Sequence, residues 1–456
     1  MSTVRLTDPI DIGALRLPNR LYRAPVLEGA GGADDPAAVY ARHFVPNAAA
    51  GVGLIIQGNT IVCPEGRTSP GMSAIGERER MLALAPLTRA VHDAGGKIVT
   101  QLGHGGLFAL EGWHTKFAPV RSSPPYAPSP LPLWLRALHR SQTHVLTTAE
   151  VQQLIARFGH VAAWAREAGY DGVQLAASNA KLLHQFLSPI FNRRRDRYGG
   201  DIHGRMTFIR EIREAIAREA GADFPVLLKY TAVELTPIGR GIDLGEGVEI
   251  ARMAEAAGFA ALTPVIADAL PNTSIARGEF PRASFDNPGL RRRLLEATGS
   301  RMRAALVHVG MFLSSRKYPL SPMWNREVFR AIKAAVSLPV FAVGGIRTPA
   351  EAAEILARGE ADMIGIGRPF YAEPDLARRF LAASGPSDTT ATACESCNRC
   401  IVPQMLGMPG VCYNPGSLRA AKIRSPLRAV PGVASAVGTP SDDSMSGPRE
   451  RVRSVG

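Results

Sequence analysis

The chain reads as an α/β protein, a (β/α)8 TIM barrel with long loops on its catalytic face and a short Cys-rich segment near the C-terminus. Three observations point there. Apolar, β-rich runs alternate with helical patterns over most of the length, as in a parallel sheet assembled from βα units. Runs such as VGLIIQ and PVFAVGG are continuously apolar, which suits strands buried on both faces. Eight such runs can be counted: Leu21–Ala24, Gly53–Gln57, Lys97–Leu102, Gly172–Ala176, Val226–Tyr230, Ala260–Thr263, Val340–Val343 and Met363–Ile366.

The helices between them carry end signals. Thr148 precedes an amphipathic run through Ala168 that stops at Gly169, a natural C-terminal cap. Thr348-Pro349-Ala350-Glu351 is an N-cap, a first-turn Pro and a Glu placed to complete a capping box; its helix runs to about Arg358 and ends at Gly359. Glu373-Pro374-Asp375 opens another. Two excursions interrupt the pattern, Leu107 to Leu146 and Pro264 to Pro322. In a barrel, loops this long cover the catalytic face.

The hydrophobic fraction of 46% and charged fraction of 20% are those of a globular protein with a large core. No apolar run approaches the ~18 residues of a spanning helix, and the N-terminus has no signal-peptide character. A soluble, cytoplasmic protein is expected. The net charge of +13 is dispersed: residues after Gly416 hold seven Lys/Arg against three Asp/Glu, and the clusters Arg193 to Arg195 and Arg291 to Arg293 are short. Without aromatic or helical readers this is solvated surface charge and excludes a nucleic-acid binder. The expected partners are a small-molecule substrate and, at most, further copies of the chain in a homo-oligomer, with neither nucleic acid nor membrane. The expected divisions are a barrel over 1–390, a four-Cys segment over 391–416 and a basic, disordered tail over 417–456.

Chemistry concentrates at the C-terminal ends of the strands. Val343-Gly344-Gly345-Ile346 ends the seventh and Gly365-Ile366-Gly367-Arg368-Pro369 the eighth. Loops there commonly bind phosphate in barrels, with glycines letting backbone N–H groups reach the oxygens and Arg368 able to pair with them bidentately. Between Ala168 and Arg205 a strand leads into HQFLSP and then NRRRDRYGG.

That frame closely resembles the old yellow enzyme family of FMN-dependent oxidoreductases, from about Leu6 to Pro415. The resemblance implies a flavin site. Ala24 and Pro25 would present backbone to the ring, and Gly58 would let the ring approach closely. Gln101 would bond its pyrimidine edge, and Lys229 would stabilise the reduced anionic ring. NAD(P)H would reduce the flavin and an unsaturated carbonyl compound would reoxidise it.

The family's carbonyl-binding pair and proton-donating Tyr are replaced here by Ala176, Asn179 and Lys181. Ala176 donates no side-chain hydrogen bond, so Asn179 is what remains of the pair. Lys181 is open to three roles: proton donor with a pKa lowered by burial, contact for an anionic substrate, or none in catalysis. Leu27 and Leu107 stand where the family has a flavin-tuning Thr or Cys and an Arg. His104 and His114 are weak candidates for a replacement acid.

Cys394, Cys397, Cys400 and Cys412 hold four of the five cysteines, a spacing suited to a [4Fe–4S] cluster, to a four-thiolate zinc ion, or to a metal-free remnant in a reducing compartment. Asn398 and Asn414-Pro415 flank them as in the family's iron–sulfur branch, which includes dienoyl-CoA reductases and trimethylamine dehydrogenase. That branch leaves amine dehydrogenation or demethylation as an alternative activity, and the altered active site leaves a non-catalytic electron carrier. Cys63 reads as a small buried side chain.

Overall fold

The computed structural model describes residues 4–116, 124–131, 142–383 and 387–424. Eight parallel strands form the barrel: β1 (Leu21–Arg23), β2 (Leu54–Ile61), β3 (Ile98–Gly103), β4 (Val173–Ala177), β5 (Val226–Leu235), β6 (Ala261–Asp268), β7 (Phe341–Val343) and β8 (Met363–Ile366). Their order around the sheet is β6-β5-β4-β3-β2-β1-β8-β7, and a parallel bridge between Leu262 and Val340 joins its two ends. All eight expected strands are present. Three of them, β2, β5 and β6, run further than the apolar runs suggested. A bulge at Val265/Ile266 keeps β6 paired with β5 as far as Asp268 and Leu235, so backbone pairing carries polar residues that sequence pattern assigned to loop.

The barrel interior is filled rather than hollow. Alternate strand residues Tyr22, Leu54, Ile56, Val99, Leu227, Phe341 and Met363 pack with Ile10, Ile12, Leu15 and Leu17. The latter four belong to an antiparallel hairpin, Ile10–Ile12 with Leu15–Leu17. Several of these side chains are fully buried, and each buried large aliphatic contributes about 1.5–3 kcal/mol. The opposite strand faces pack on the helices in a second, larger core.

Helix ends follow local chemistry. The helix Thr148–Glu167 is capped by Thr147, one residue earlier than expected, in a capping box with Glu150. Thr348 and Glu351 form the expected box at Pro349–Ala357. The excursion from Pro264 is not loop for most of its length: it contains Arg282–Asp286, Pro288–Thr298 and Arg301–Lys317 as helices. Part of the Leu107 excursion lies outside the described residues; the rest holds two 3-10 turns and a short parallel pair, Tyr126–Ala127 with His144–Val145. The expected tail boundary at 417 falls inside a helix, Pro415–Arg424; positions 425–456 lie outside the described residues. No helix among the described residues is long and apolar enough to cross a membrane.

Candidate active site

Ala24, Pro25, Gly58, Gln101, Asn179, Lys181, Lys229, Gly344, Gly345, Gly367 and Arg368, the eleven residues named from sequence for flavin and substrate, all line one cavity of ≈ 310 Å³. Parallel strands make this convergence, since every strand ends at the same rim. Ladder register then sets neighbours: Lys229 lies between Ala176 on β4 and Thr263 on β6. Ala24 is fixed to β8 by its N–H donating to the Ile366 carbonyl at 2.8 Å.

The cavity wall is electrostatically one-sided. Among the described residues four cations line it, Lys181, Lys229, Arg347 and Arg368, and no Asp or Glu does. Burial lowers Lys229 to about 8 and Lys181 to about 8, because taking an ammonium from water without a carboxylate beside it disfavours the charged form. Lys181 Nζ donates to Thr68 Oγ1 at 2.8 Å. Three buried polar atoms on lining residues, Asn59 Oδ1, Asn179 Oδ1 and Arg347 Nε, have no hydrogen-bond partner in the protein. Each orphan costs about 1–3 kcal/mol, a cost that an anionic ligand with polar edges would remove.

These features fit FMN. Gln101 Nε2 donates to Gln174 Oε1 at 2.7 Å, and Gln174 in turn donates to Thr263 Oγ1. The relay fixes the Gln101 amide and leaves its carbonyl oxygen for a ring N–H. Gly344 and Gly345 have φ of 118° and 80°, the region glycine alone adopts at no cost. A Cβ on either would meet Trp324 at 2.9 Å.

Two expectations change in detail. Gly58 is required by the protein itself: a Cβ there would lie 1.6 Å from the Val26 carbonyl oxygen, so the close approach is between β2 and the segment after β1. Arg368 is not free to clasp a phosphate with its whole fork. Its Nη2 donates to the Arg277 carbonyl at 2.8 Å, and its Nη1 to Asn398 Oδ1. Arg347 lines the same end and was missed from sequence; its Nη2 donates to the Cys394 carbonyl at 2.5 Å. The signal was the basic residue directly after Gly344-Gly345-Ile346. Trp324 and Asn59 also line the cavity, and nothing local in the sequence marks them.

The part of the cavity expected from sequence to face substrate is built differently. Asn179 and Ala180 both have φ of 57°, a left-handed pair that costs a non-glycine residue about 1 kcal/mol or more. Two helix residues hold it: the Ala180 N–H donates to His184 Nδ1 at 2.9 Å, and Gln185 Nε2 donates to the Ala180 carbonyl at 2.7 Å. His184 also lies 3.2 Å from Glu234, both side chains fully buried. His104 is not among the cavity-lining residues; it accepts from the Gly106 N–H and stacks on Tyr126 at 5.2 Å, and burial lowers it to about 4. His114 is likewise outside the lining and accepts from the Lys116 N–H. Leu27 lines the cavity, and Cys63 is buried in the core.

The Cys segment roofs this cavity through Ser396, Ile401 and Gln404. Cys394, Cys397, Cys400 and Cys412 line a second, smaller cavity that shares Arg368 with the first. All are reduced. Burial, reinforced by the neighbouring cysteines, pushes Cys400 up to about 12 and Cys412 up to about 11. The donor set suits an iron–sulfur or zinc centre, but the thiols are not drawn into ligand geometry: among the described residues no group of three or more His, Cys, Asp or Glu is placed to hold a metal.

Residues 5–271 and 288–383 match the NADH:flavin oxidoreductase / NADH oxidase family. The NADH oxidase of Thermoanaerobacter brockii is 30% identical over 418 residues, 88% of this chain and 56% of the relative. The NADPH dehydrogenase of Bacillus subtilis is 28% identical over 378 residues, 82% of this chain and 93% of the relative. The old yellow enzyme homologue from Zymomonas mobilis shares the fold at a TM-score of 0.60 and 23% identity, over 91% of this chain and 98% of that one. The chain thus spans about half the length of the NADH oxidase it matches.

Proposed function

The chain belongs to the NADH:flavin oxidoreductase / NADH oxidase family, and on that premise we propose that it is an FMN-dependent oxidoreductase acting from NAD(P)H onto an unsaturated carbonyl or related small organic acceptor. FMN, when bound, supplies two-electron chemistry, accepting a hydride from NAD(P)H and passing one to the acceptor. Gln101 and Lys229 hold the ring edge. The glycines after β7 and β8, with Arg347 and the remaining donors of Arg368, hold the phosphate. Asn179 and Lys181 face the acceptor, and an amide and an ammonium together draw electron density onto its oxygen as the hydride arrives. With Ala176 in place of a second donor, Lys181 carries most of that work.

The observation that carries this reading is the convergence of eleven motif residues on one cavity whose described lining holds four cations and no carboxylate. Lys181, the cation left facing the acceptor, counts against amine dehydrogenation, because its ammonium would repel a substrate ammonium. The four thiols are proposed as the donor set for a [4Fe–4S] cluster or a zinc ion, which iron, zinc and sulfide analysis of the purified protein would distinguish; no step is assigned to such a centre.

The test is anaerobic. Purified protein should show flavin absorbance, lose it on adding NADPH or NADH, and regain it on adding 2-cyclohexenone. Lys181→Met should still bleach normally but reoxidise slower by about tenfold to a hundredfold. Unchanged reoxidation in that variant would clear Lys181 of any role in turnover, and a colourless protein that takes up no FMN would overturn the reading altogether.

A further inference from the structure

The helix Arg301–Lys317 is apolar on two opposite faces. Ala304, Val307 and Met311 pack inward against the core formed with Leu290, Leu294 and Val402. Met302, Leu306, Val309 and Leu313 point the other way and are 69%, 58%, 48% and 59% exposed. Their spacing of four, three and four residues places them on one stripe of a 3.6-residue helix. Among the described residues nothing lies within 4 Å of a Cβ built on Gly310. A helix apolar all round belongs in an interior or against a partner, so this outer face calls for an occupant.

Charge selects among occupants. From Pro288 to Lys317 the two helices carry seven Lys/Arg against one carboxylate, Glu296, and so almost half of the chain's excess of +13. Arg301 stands at one end of the stripe and Arg316, over the Phe312 ring, at the other; Arg303 Nη1 is buried and Lys317 Nζ lies 3.9 Å from Asp268. A second copy would bring this basic hairpin against itself. A protein partner would have to supply a groove, since the four side chains stand out as a ridge. A lipid surface accepts a ridge without a preformed groove, and anionic headgroups complement the flanks.

We propose that the Pro288–Lys317 hairpin docks the protein peripherally on an anionic lipid surface. The apolar ridge lies at the headgroup–acyl boundary, and Arg301 and Arg316 lie among the phosphates, their alkyl stems along the ridge. The proposal needs no membrane-spanning segment and stands independently of the reaction catalysed.

The test uses full-length, FMN-loaded protein and sedimentation with vesicles. Vesicles of phosphatidylcholine with about one third phosphatidylglycerol should capture the protein about tenfold or more better than pure phosphatidylcholine at low salt, and about 0.5 M salt should release it. A Leu306→Gln/Leu313→Gln double variant should lower capture about tenfold or more, with its flavin spectrum and melting temperature unchanged as proof of folding. Arg301→Gln/Arg316→Gln should weaken capture by phosphatidylglycerol vesicles only. Equal absence of binding to both vesicle types overturns the proposal, as does capture that the Leu306/Leu313 variant leaves intact. So does a stable dimer in light scattering that this variant dissociates, which would assign the ridge to a second copy.

Discussion

The two ends of the cavity contain the same chemical object, a lysine lowered to about 8 by burial, and hold it by opposite means. Lys229 sits in a β-ladder between Ala176 and Thr263, where register leaves its position no freedom. Lys181 follows two left-handed residues and is steadied by one hydroxyl, Thr68. The lesson is that the end proposed for the cofactor is fixed by backbone pairing and the end proposed for the substrate by side chains and local strain. The first cannot drift without losing the barrel, whereas the second can be rebuilt by exchanging three residues.

That contrast can be broken most severely at the rigid end. Gly58→Ala would drive a Cβ into the Val26 carbonyl. We expect a loss of about 3 kcal/mol or more, or no soluble protein, by denaturant titration. A wild-type-like curve would mean that the strand end is softer than its pairing implies.

A smaller effect separates the lysines by pH. An ammonium whose pKa is lowered on folding destabilises the native state fully below the folded value, and the penalty is relieved as pH rises from about 8 towards the unfolded value. The flavin-free protein should therefore gain in melting temperature between about pH 7.5 and 9.5 relative to a Lys181→Met/Lys229→Met variant. Bound FMN, being anionic, should flatten the difference through Lys229 and leave the Lys181 share. Parallel melting curves for the two proteins would show that neither ammonium is desolvated.

The smallest effect is expected at the loop. Ala180→Gly removes left-handed strain, stabilising the fold by up to about 1 kcal/mol, while freeing Asn179 and Lys181 to wander. Slower flavin reoxidation in a more stable protein is the outcome; unchanged turnover would mean that the strain positions nothing.

Legibility in the sequence followed the same divide. The strand ends were readable because continuous apolar runs in a parallel barrel finish at one rim; what Gly58, Gln101 and Lys229 do there was implied by the resemblance to the old yellow enzyme family. Arg347 and Trp324 were not, since their value depends on which loops fold over the rim. The helical hairpin was read as loop because Arg301–Lys317 is apolar on both faces and shows no clean helical period. The commitment of Arg368 to Arg277 and Asn398 was invisible for a related reason: its partners lie 91 and 30 residues away.

By itself the sequence determined the barrel, its eight strands and the identity of the groups at its mouth, because burial pattern and glycine placement are local properties of the chain. Only the tertiary structure decided how those groups are spent. It showed which arginine is already engaged, why Gly58 must lack a side chain, that the four thiols line one small cavity, and that one helix keeps an oily face in water. Each of these depends on contacts between segments far apart in the chain, and no local pattern records them.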